Sequence, residues 1–211
     1  MTAQQNIQLF KKIFSELIYH TAKIEKINMT FPETKTILDG MTVAGVKTDD
    51  VQVVLNLKNA CQYVIDTYDE DFSLKTMLQI NRRVAYNESL EWGVLRWGNV
   101  SIGGTSYLPD IPQQSEVESF ISAADLGSVQ GIVTFMYQCM KRQLFWDGNK
   151  RSSILIANLL LIQRGLGCLL IKESMLEEFN QLLHNYYEKD ELQPFLDWTL
   201  KHCLVKIEIE K

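Results

Sequence analysis

The residues best placed to do chemistry stand in one tight run, Asp147-Gly148-Asn149-Lys150-Arg151, directly before an almost wholly apolar stretch, Ser152 to Ile162. A helix that is apolar on nearly every side belongs in the middle of a core. Its first turn leaves backbone N–H groups without intrahelical partners and carries the positive end of the helix dipole. Gly148 lets the backbone approach a ligand closely, and Lys150 and Arg151 supply positive charge, so the run suits an anion and a phosphate in particular. Asp147 is placed to hold Mg²⁺, which is commonly shared between one or two carboxylates and substrate phosphates. A charged helix cap with no ligand is the plainer alternative, and these residues alone leave it open. Neither GxxxxGK[ST] nor GxGxxG occurs in the sequence, so the familiar phosphate loops do not apply.

Helices must position this run. Ile7, Phe10, Ile13, Phe14, Leu17 and Ile18 recur at three- and four-residue spacing and predict one amphipathic helix over about 6–26. Thr30-Phe-Pro-Glu33 is a capping-box pattern that starts a short helix ending at Gly40. Long helices are expected from about Asp49 and over Leu74 to Tyr86, then Val129 to Arg142 and Asn149 to Gln163. Met175 to Tyr187 and Leu192 to Val205 give two more. Between Glu91 and Pro112 the texture changes, with glycines and prolines mixed among Val100, Ile102 and Tyr107. This predicts a β-hairpin or flap with Gly103-Gly104 at its turn, though a plain connecting loop fits the composition as well. No repeat, linker or low-complexity tract interrupts the chain, so one domain over 1–211 is expected.

Composition narrows the function classes. Over 211 residues, 46% are hydrophobic and 22% charged, the balance of an ordinary globular protein. A net charge of −5 argues against nucleic acid as the main partner. Cys61, Cys139, Cys168 and Cys203 are far apart and form no metal-binding or disulfide pattern. The N-terminus lacks a signal peptide's basic-then-apolar order, and the most apolar run, Ile154 to Ile162, is far shorter than the roughly 20 residues needed to cross a bilayer. No membrane partner and a cytoplasmic location are the expectations.

Gln143-Leu-Phe-Trp-Asp-Gly-Asn-Lys-Arg151 resembles the Fic signature His-Pro-Phe-x-Asp-Gly-Asn-(Gly/Lys)-Arg, with Phe145, Asp147, Gly148, Asn149, Lys150 and Arg151 matching. Upstream, Ile24-Glu25-Lys-Ile-Asn-Met-Thr30-Phe-Pro-Glu33-Thr34 is similar to the family's Ile-Glu-Gly-Asn-x-x-Thr-x-x-Glu-Thr stretch. Asn56, Ala60, the Gly93-Val-Leu-Arg96 turn, Gly103-Gly104 and Tyr186-Tyr187 also fit. The resemblance implies an all-α, Fic-type helical bundle with a small β-hairpin flap. It implies AMP transfer from ATP to a hydroxyl of a target protein, with Asp147 on Mg²⁺ and Gly148, Asn149, Lys150 and Arg151 on the phosphates. It implies an inhibitory glutamate, for which Thr21 and Glu25 occupy the Ser/Thr-x-x-x-Glu positions, and a flap at Ile102, Gly103 and Gly104 that docks the target.

The same resemblance exposes departures. Gln143 stands where the family has its general-base histidine, and a carboxamide takes no proton near neutral pH. Loss of a positioned base costs on the order of 10² to 10⁴ in rate. Leu144 replaces the usual proline, Lys26 replaces the small residue after the glutamate, and Ile154 replaces a second arginine, so Glu25 must pair with Arg151 or Lys150 if it inhibits at all. His20, His184 and His202 are remote in sequence from Gln143, and His20 is read as a packing histidine. The expected function is therefore nucleotide (ATP or ADP) binding with impaired AMP transfer. A non-catalytic nucleotide sensor, an interaction module whose flap, Val100 to Pro109, adds a strand to a target or regulatory protein, and phosphoryl transfer of the Doc type stand as alternatives. Homo-oligomerisation is left open.

Overall fold

The computed structural model describes residues 1–206. The helices run α1 Ala3–Lys12, α2 Phe14–Lys23, α3 Phe31–Leu38, α4 Thr48–Thr67, α5 Leu74–Val84, α6 Gln114–Ala123, α7 Val129–Arg142, α8 Asn149–Arg164, α9 Leu176–Lys189 and α10 Leu192–His202. Two short strands, β1 Cys168–Leu169 and β2 Leu204–Val205, pair antiparallel, with Cys168 opposite Val205 and Leu169 opposite Leu204. The all-α expectation holds. The final helix stops at His202, and the residues beyond it pair as β2 rather than continuing the helix to Val205.

Helix α8 is the axis of the bundle. Every residue from Arg151 to Ile162 is buried, and α7, α5, α1 and α4 pack around it. Its nearly uniform apolarity follows from that position, because no face of it meets water. Asn158, the one polar interruption within the apolar run after Ser153, is fully buried and acts as a clip. Its Nδ2 donates to the Leu169 carbonyl at 3.0 Å, and its Oδ1 accepts the Leu169 N–H at 2.9 Å. Asn6 of α1 does the same for Gly167, at 2.9 and 2.6 Å. The turn after α8 thus has its backbone groups satisfied by two carboxamides. Asn158→Leu would leave a buried donor and acceptor unpaired at about 1–3 kcal/mol each, and should lower the urea midpoint by an amount corresponding to roughly 3 kcal/mol.

The N-terminal helix is interrupted. The periodicity predicts a single helix over 6–26, but Ile13 (φ −94°, ψ 8°) separates α1 from α2. No glycine or proline marks the break. Both halves keep their apolar faces inward, Ile7 and Phe10 on one side and Leu17 and Ile18 on the other, so the break leaves the hydrophobic pattern undisturbed. Helix α3 begins as its capping box predicts, with the Thr30 N–H donating to Glu33 Oε2 at 2.7 Å and the Glu33 N–H to Thr30 Oγ1 at 3.4 Å.

The flap differs from a β-hairpin. Between α5 and α6 the chain makes an extended excursion in which the Thr105 N–H donates to the Ile102 carbonyl at 3.1 Å and Gly104 adopts φ +81°. The expected Gly103-Gly104 turn is present, but no strand pairing flanks it. The reason lies in where the carbonyls go. Those of Gly98, Pro109 and Asp110 accept from the buried guanidinium of Arg96, at 2.7, 3.1 and 2.5 Å, instead of facing one another across a ladder. Proline at 109 and 112 removes two donors that a ladder would need.

All four cysteines are buried and unpaired. Burial pushes the Cys168 and Cys203 thiols up to about 12, so they behave as apolar packing residues. Among the described residues no helix is long and apolar enough to cross a membrane, and no cluster of three or more metal-ligating side chains occurs.

Candidate functional site

The loop between α7 and α8 opens onto a cleft of about 780 Å³. One wall is the turn after α2, Ile24 to Lys26. A second is the excursion around Asn99 to Gly103, and a third is the face of α9 that carries Asn180, His184 and Tyr187. The floor is Gln143, Trp146, Asp147, Asn149 and Lys150. Of the flap residues nominated from sequence, Ile102 and Gly103 border this cleft, while Gly104 lies at the outer turn. Thr21 is buried within the bundle, one helical turn before Glu25, and does not line the cleft.

Two left-handed residues shape the floor. Gln143 ends α7 with φ 45° and ψ 60°, and Gly148 starts α8 with φ +70°. At Gly148 a β-carbon would come within 2.9 Å of Val84 Cγ1 and 3.3 Å of Ala85 Cβ, so both conformation and space require glycine. Asn149 stitches the loop: its Oδ1 accepts the Phe145 N–H at 2.9 Å, and its Nδ2 donates to the Phe145 carbonyl at 2.8 Å and to Gln143 Oε1 at 3.1 Å. Asn81 of α5 fixes the other side, donating to the Asp147 carbonyl at 2.9 Å and to Ser152 Oγ at 3.2 Å while accepting the Gly93 N–H at 2.9 Å. Arg96 ties the excursion to the same loop, its Nε donating to the Gln143 carbonyl at 2.5 Å and its backbone N–H to the Leu144 carbonyl at 3.0 Å. Trp146 Nε1 is buried without a partner among the described residues.

Gln143 is held as a structural amide. Its Nε2 donates to the Met140 carbonyl at 2.7 Å and lies 3.4 Å from the Tyr187 hydroxyl, while its Oε1 takes the Asn149 bond. A neutral carboxamide engaged in this way has no role in proton transfer at neutral pH. Burial is the largest influence on Tyr187 and raises its phenol above the usual range, so it too stays protonated. Of the three histidines, His184 borders the cleft and His20 does not.

The guanidinium of Arg151 sits behind the floor rather than on it. It is 1% exposed and absent from the cleft wall. Its Nε donates to Glu25 Oε1 at 3.0 Å, its Nη1 to Glu88 Oε2 at 2.8 Å, and its Nη2 lies 3.7 Å from Asp147 Oδ1. Burial opposes its charge, but Glu25, Glu88 and Asp147 together outweigh that effect and hold its pKa above the usual value. Burial raises the Glu88 carboxyl, and Arg151 and Asn56 pull it back. Asn56 completes the hub by donating to Glu88 Oε1 at 2.6 Å and to the Tyr86 carbonyl at 2.8 Å. The sequence nominates Arg151 as a phosphate ligand. As placed, its donors face Glu25, Glu88, Asp147 and the Val84 carbonyl rather than the cleft. Glu88 was not among the nominated residues, and neither Asn87-Glu88-Ser89 nor its surroundings carries a motif that would distinguish it.

His20 explains how the turn bearing Glu25 is anchored. Its Nδ1 accepts the Glu173 N–H at 3.1 Å, Tyr19 donates to the Glu173 carboxylate, and Lys23 lies 3.2 Å from the same group. The histidine must be neutral to accept, and burial lowers its pKa from the ordinary 6.5, outweighing the opposing pull of Glu16 and Glu173. A base with a depressed folded pKa contributes stability that is present above 6.5 and is lost as pH falls through the folded value. Denaturation midpoints followed from neutral pH down through the imidazole range should fall more steeply for the parent than for His20→Gln.

Comparison with known proteins points to one family. Residues 71–161 match the model of the Fic/DOC family. The protein adenylyltransferase Fic of Culex quinquefasciatus is 29% identical over 199 residues, covering 88% of this chain and 39% of the relative. That of Drosophila melanogaster is 27% identical over 198 residues, covering 88% and 40%. The chain thus spans about two fifths of the length of these relatives. Among solved structures, Fic-1 from C. elegans superposes with a TM-score of 0.76 at 19% identity, over 92% of this chain and 62% of that one. A Fic-domain signalling protein from Bacteroides thetaiotaomicron gives 0.72 at 16%, over 93% and 84%. These likenesses establish the fold.

Proposed function

We propose that this chain, whose residues 71–161 are of the Fic/DOC family, binds a nucleotide such as ATP by its phosphates at the N-terminus of α8 and is impaired in AMP transfer to a protein hydroxyl. The observation that carries the reading is the convergence on one cleft of the α8 N-terminus, which starts at Gly148, the cation Lys150 and the carboxylate Asp147. The N–H groups after Gly148 are aimed by Asn149 and Asn81, which lock the loop from both sides. The reaction class comes from the relatives, named protein adenylyltransferases.

Magnesium fits the site on its donor set. Asp147 presents a carboxylate that is 44% exposed on the cleft floor, next to where phosphates would lie. A single carboxylate shared with phosphate oxygens is an ordinary arrangement for this ion, which when bound neutralises charge on the leaving phosphates. Around it, Lys150 would hold the phosphate chain, and Asn149 would keep the loop in register. Glu25 covers Arg151 from the α2 side and borders the cleft, where its charge disfavours an incoming anion. Removing that charge opens the site to phosphate. Gln143 supplies positioning through its amide but cannot accept the target hydroxyl's proton, which is why binding outlasts rapid transfer in this reading.

Calorimetric titration with ATP, with and without Mg²⁺, tests it on the parent and on Glu25→Gly. Saturable binding, tighter in Glu25→Gly, is the expected result. Absence of heat in both proteins would overturn the reading and leave an interaction module in its place.

A further inference from the structure

Of the two cations that the sequence nominates for phosphate, Lys150 faces the cleft and Arg151 does not. Arg151 is sealed among carboxylates, so a polyphosphate entering the cleft must find its positive charge elsewhere. Two lysines border the cavity, Lys150 on the floor and Lys26 on the α2 side. Among the described residues neither engages in a salt bridge or side-chain hydrogen bond. A nucleoside triphosphate carries about four negative charges, more than one lysine, a helix terminus and one divalent ion together match.

Lys26 also carries a local conformational cost. Among the described residues it is one of four non-glycine residues with positive φ, at 59°, and its N–H closes the turn after α2 on the Lys23 carbonyl at 2.9 Å. A β-carbon disfavours this conformation and glycine does not. The turn itself therefore gives no reason for a lysine, and a strained residue beside a cleft is a feature that function can explain. Lys26 is exposed, so packing does not explain it either.

We propose that Lys26 is a phosphate ligand and that, with Lys150, it forms a two-lysine clamp for the polyphosphate chain of a nucleoside triphosphate. The inference rests on the nucleotide-binding reading above. It gives the turn after α2 two opposed duties in consecutive residues: Glu25 repels the phosphates while Lys26 attracts them. An anion held by Lys26 thus feels the Glu25 charge directly, and the clamp is strongest once that charge is gone.

The test uses the full chain in a Glu25→Gln background, which keeps a hydrogen-bonding partner for Arg151. ATP, inorganic triphosphate and adenosine are titrated calorimetrically into Glu25→Gln and into Glu25→Gln combined with Lys26→Gly or Lys26→Arg, and each denaturation midpoint is recorded. Lys26→Gly relieves the left-handed strain, so its midpoint should hold or rise. ATP and triphosphate should nevertheless bind about ten-fold or more weakly, adenosine should be unaffected, and Lys26→Arg should restore phosphate affinity. Unchanged ATP and triphosphate affinity in Lys26→Gly would overturn the clamp while leaving the nucleotide site standing. If Glu25→Gln binds neither ATP nor triphosphate, the nucleotide-binding reading falls and takes the clamp with it.

Discussion

Arg151→Ala should destabilise the fold by about 3–5 kcal/mol, the cost of removing one partner from a buried ion cluster. The size follows from what would remain. Glu88, with its side chain 15% exposed, would keep its carboxylate beside Asn56 with no cation to balance it, and Glu25 and Asp147 would lose the same partner. For a domain whose total stability is typically 5–15 kcal/mol, that is a large fraction. A urea titration should show it as a lower midpoint, and the melting temperature should fall on the order of 10 °C. Glu25→Gly should cost far less, because Glu25 is more exposed and Arg151 keeps Glu88. If Arg151→Ala instead folds with unaltered stability, the hub is not structural and the residue is free for phosphate after all.

The second large effect concerns rate. Restoring a base with Gln143→His in a Glu25→Gly background should raise AMP transfer to protein by on the order of 10² to 10⁴. The position supports this expectation because Gln143 stands on the cleft floor between Asn149 and Tyr187. Its left-handed backbone is fixed by the end of α7 and by Arg96, whose Nε binds the Gln143 carbonyl, so a histidine would inherit a defined orientation. Transfer of label from α-phosphate-labelled ATP measures it. No gain in transfer over Glu25→Gly alone would mean that the missing base is not what limits this chain.

The fold was legible where hydrophobic period was strong. Helices α7 and α8 lie within a residue or two of their expected limits, because apolar spacing, a serine cap at Ser128 and the glycine after Arg164 agree. The break at Ile13 was not legible, since it spares the apolar pattern and carries no breaker residue. The excursion misled for a physical reason. Val100, Ile102 and Tyr107 flank a Gly-Gly turn as hairpin strands do, but the carbonyls of Gly98 and Pro109 are claimed by Arg96 within the same excursion. A side-chain capture of that kind leaves no trace in the apolar pattern.

The site divides along the same line. The run from Asp147 to Arg151 and the turn bearing Glu25 could be singled out because their residue types or likeness to a known pattern are local. Their mutual geometry could not. Glu88 and Asn56 reach Arg151 from other helices and loops, and a lone glutamate between asparagine and serine looks like any surface carboxylate. His184 had a weak signal: it lies one helical turn before Tyr187, so the face that carries one carries the other.

The most direct test of the central claim is the crystal structure of Glu25→Gly grown with ATP and Mg²⁺. The account predicts triphosphate density against the first turn of α8, beside Gly148 and Lys150, with Asp147 turned toward the metal and Arg151 still bonded to Glu88. Nucleotide bound elsewhere on the molecule, or an empty cleft at saturating ATP, would contradict it.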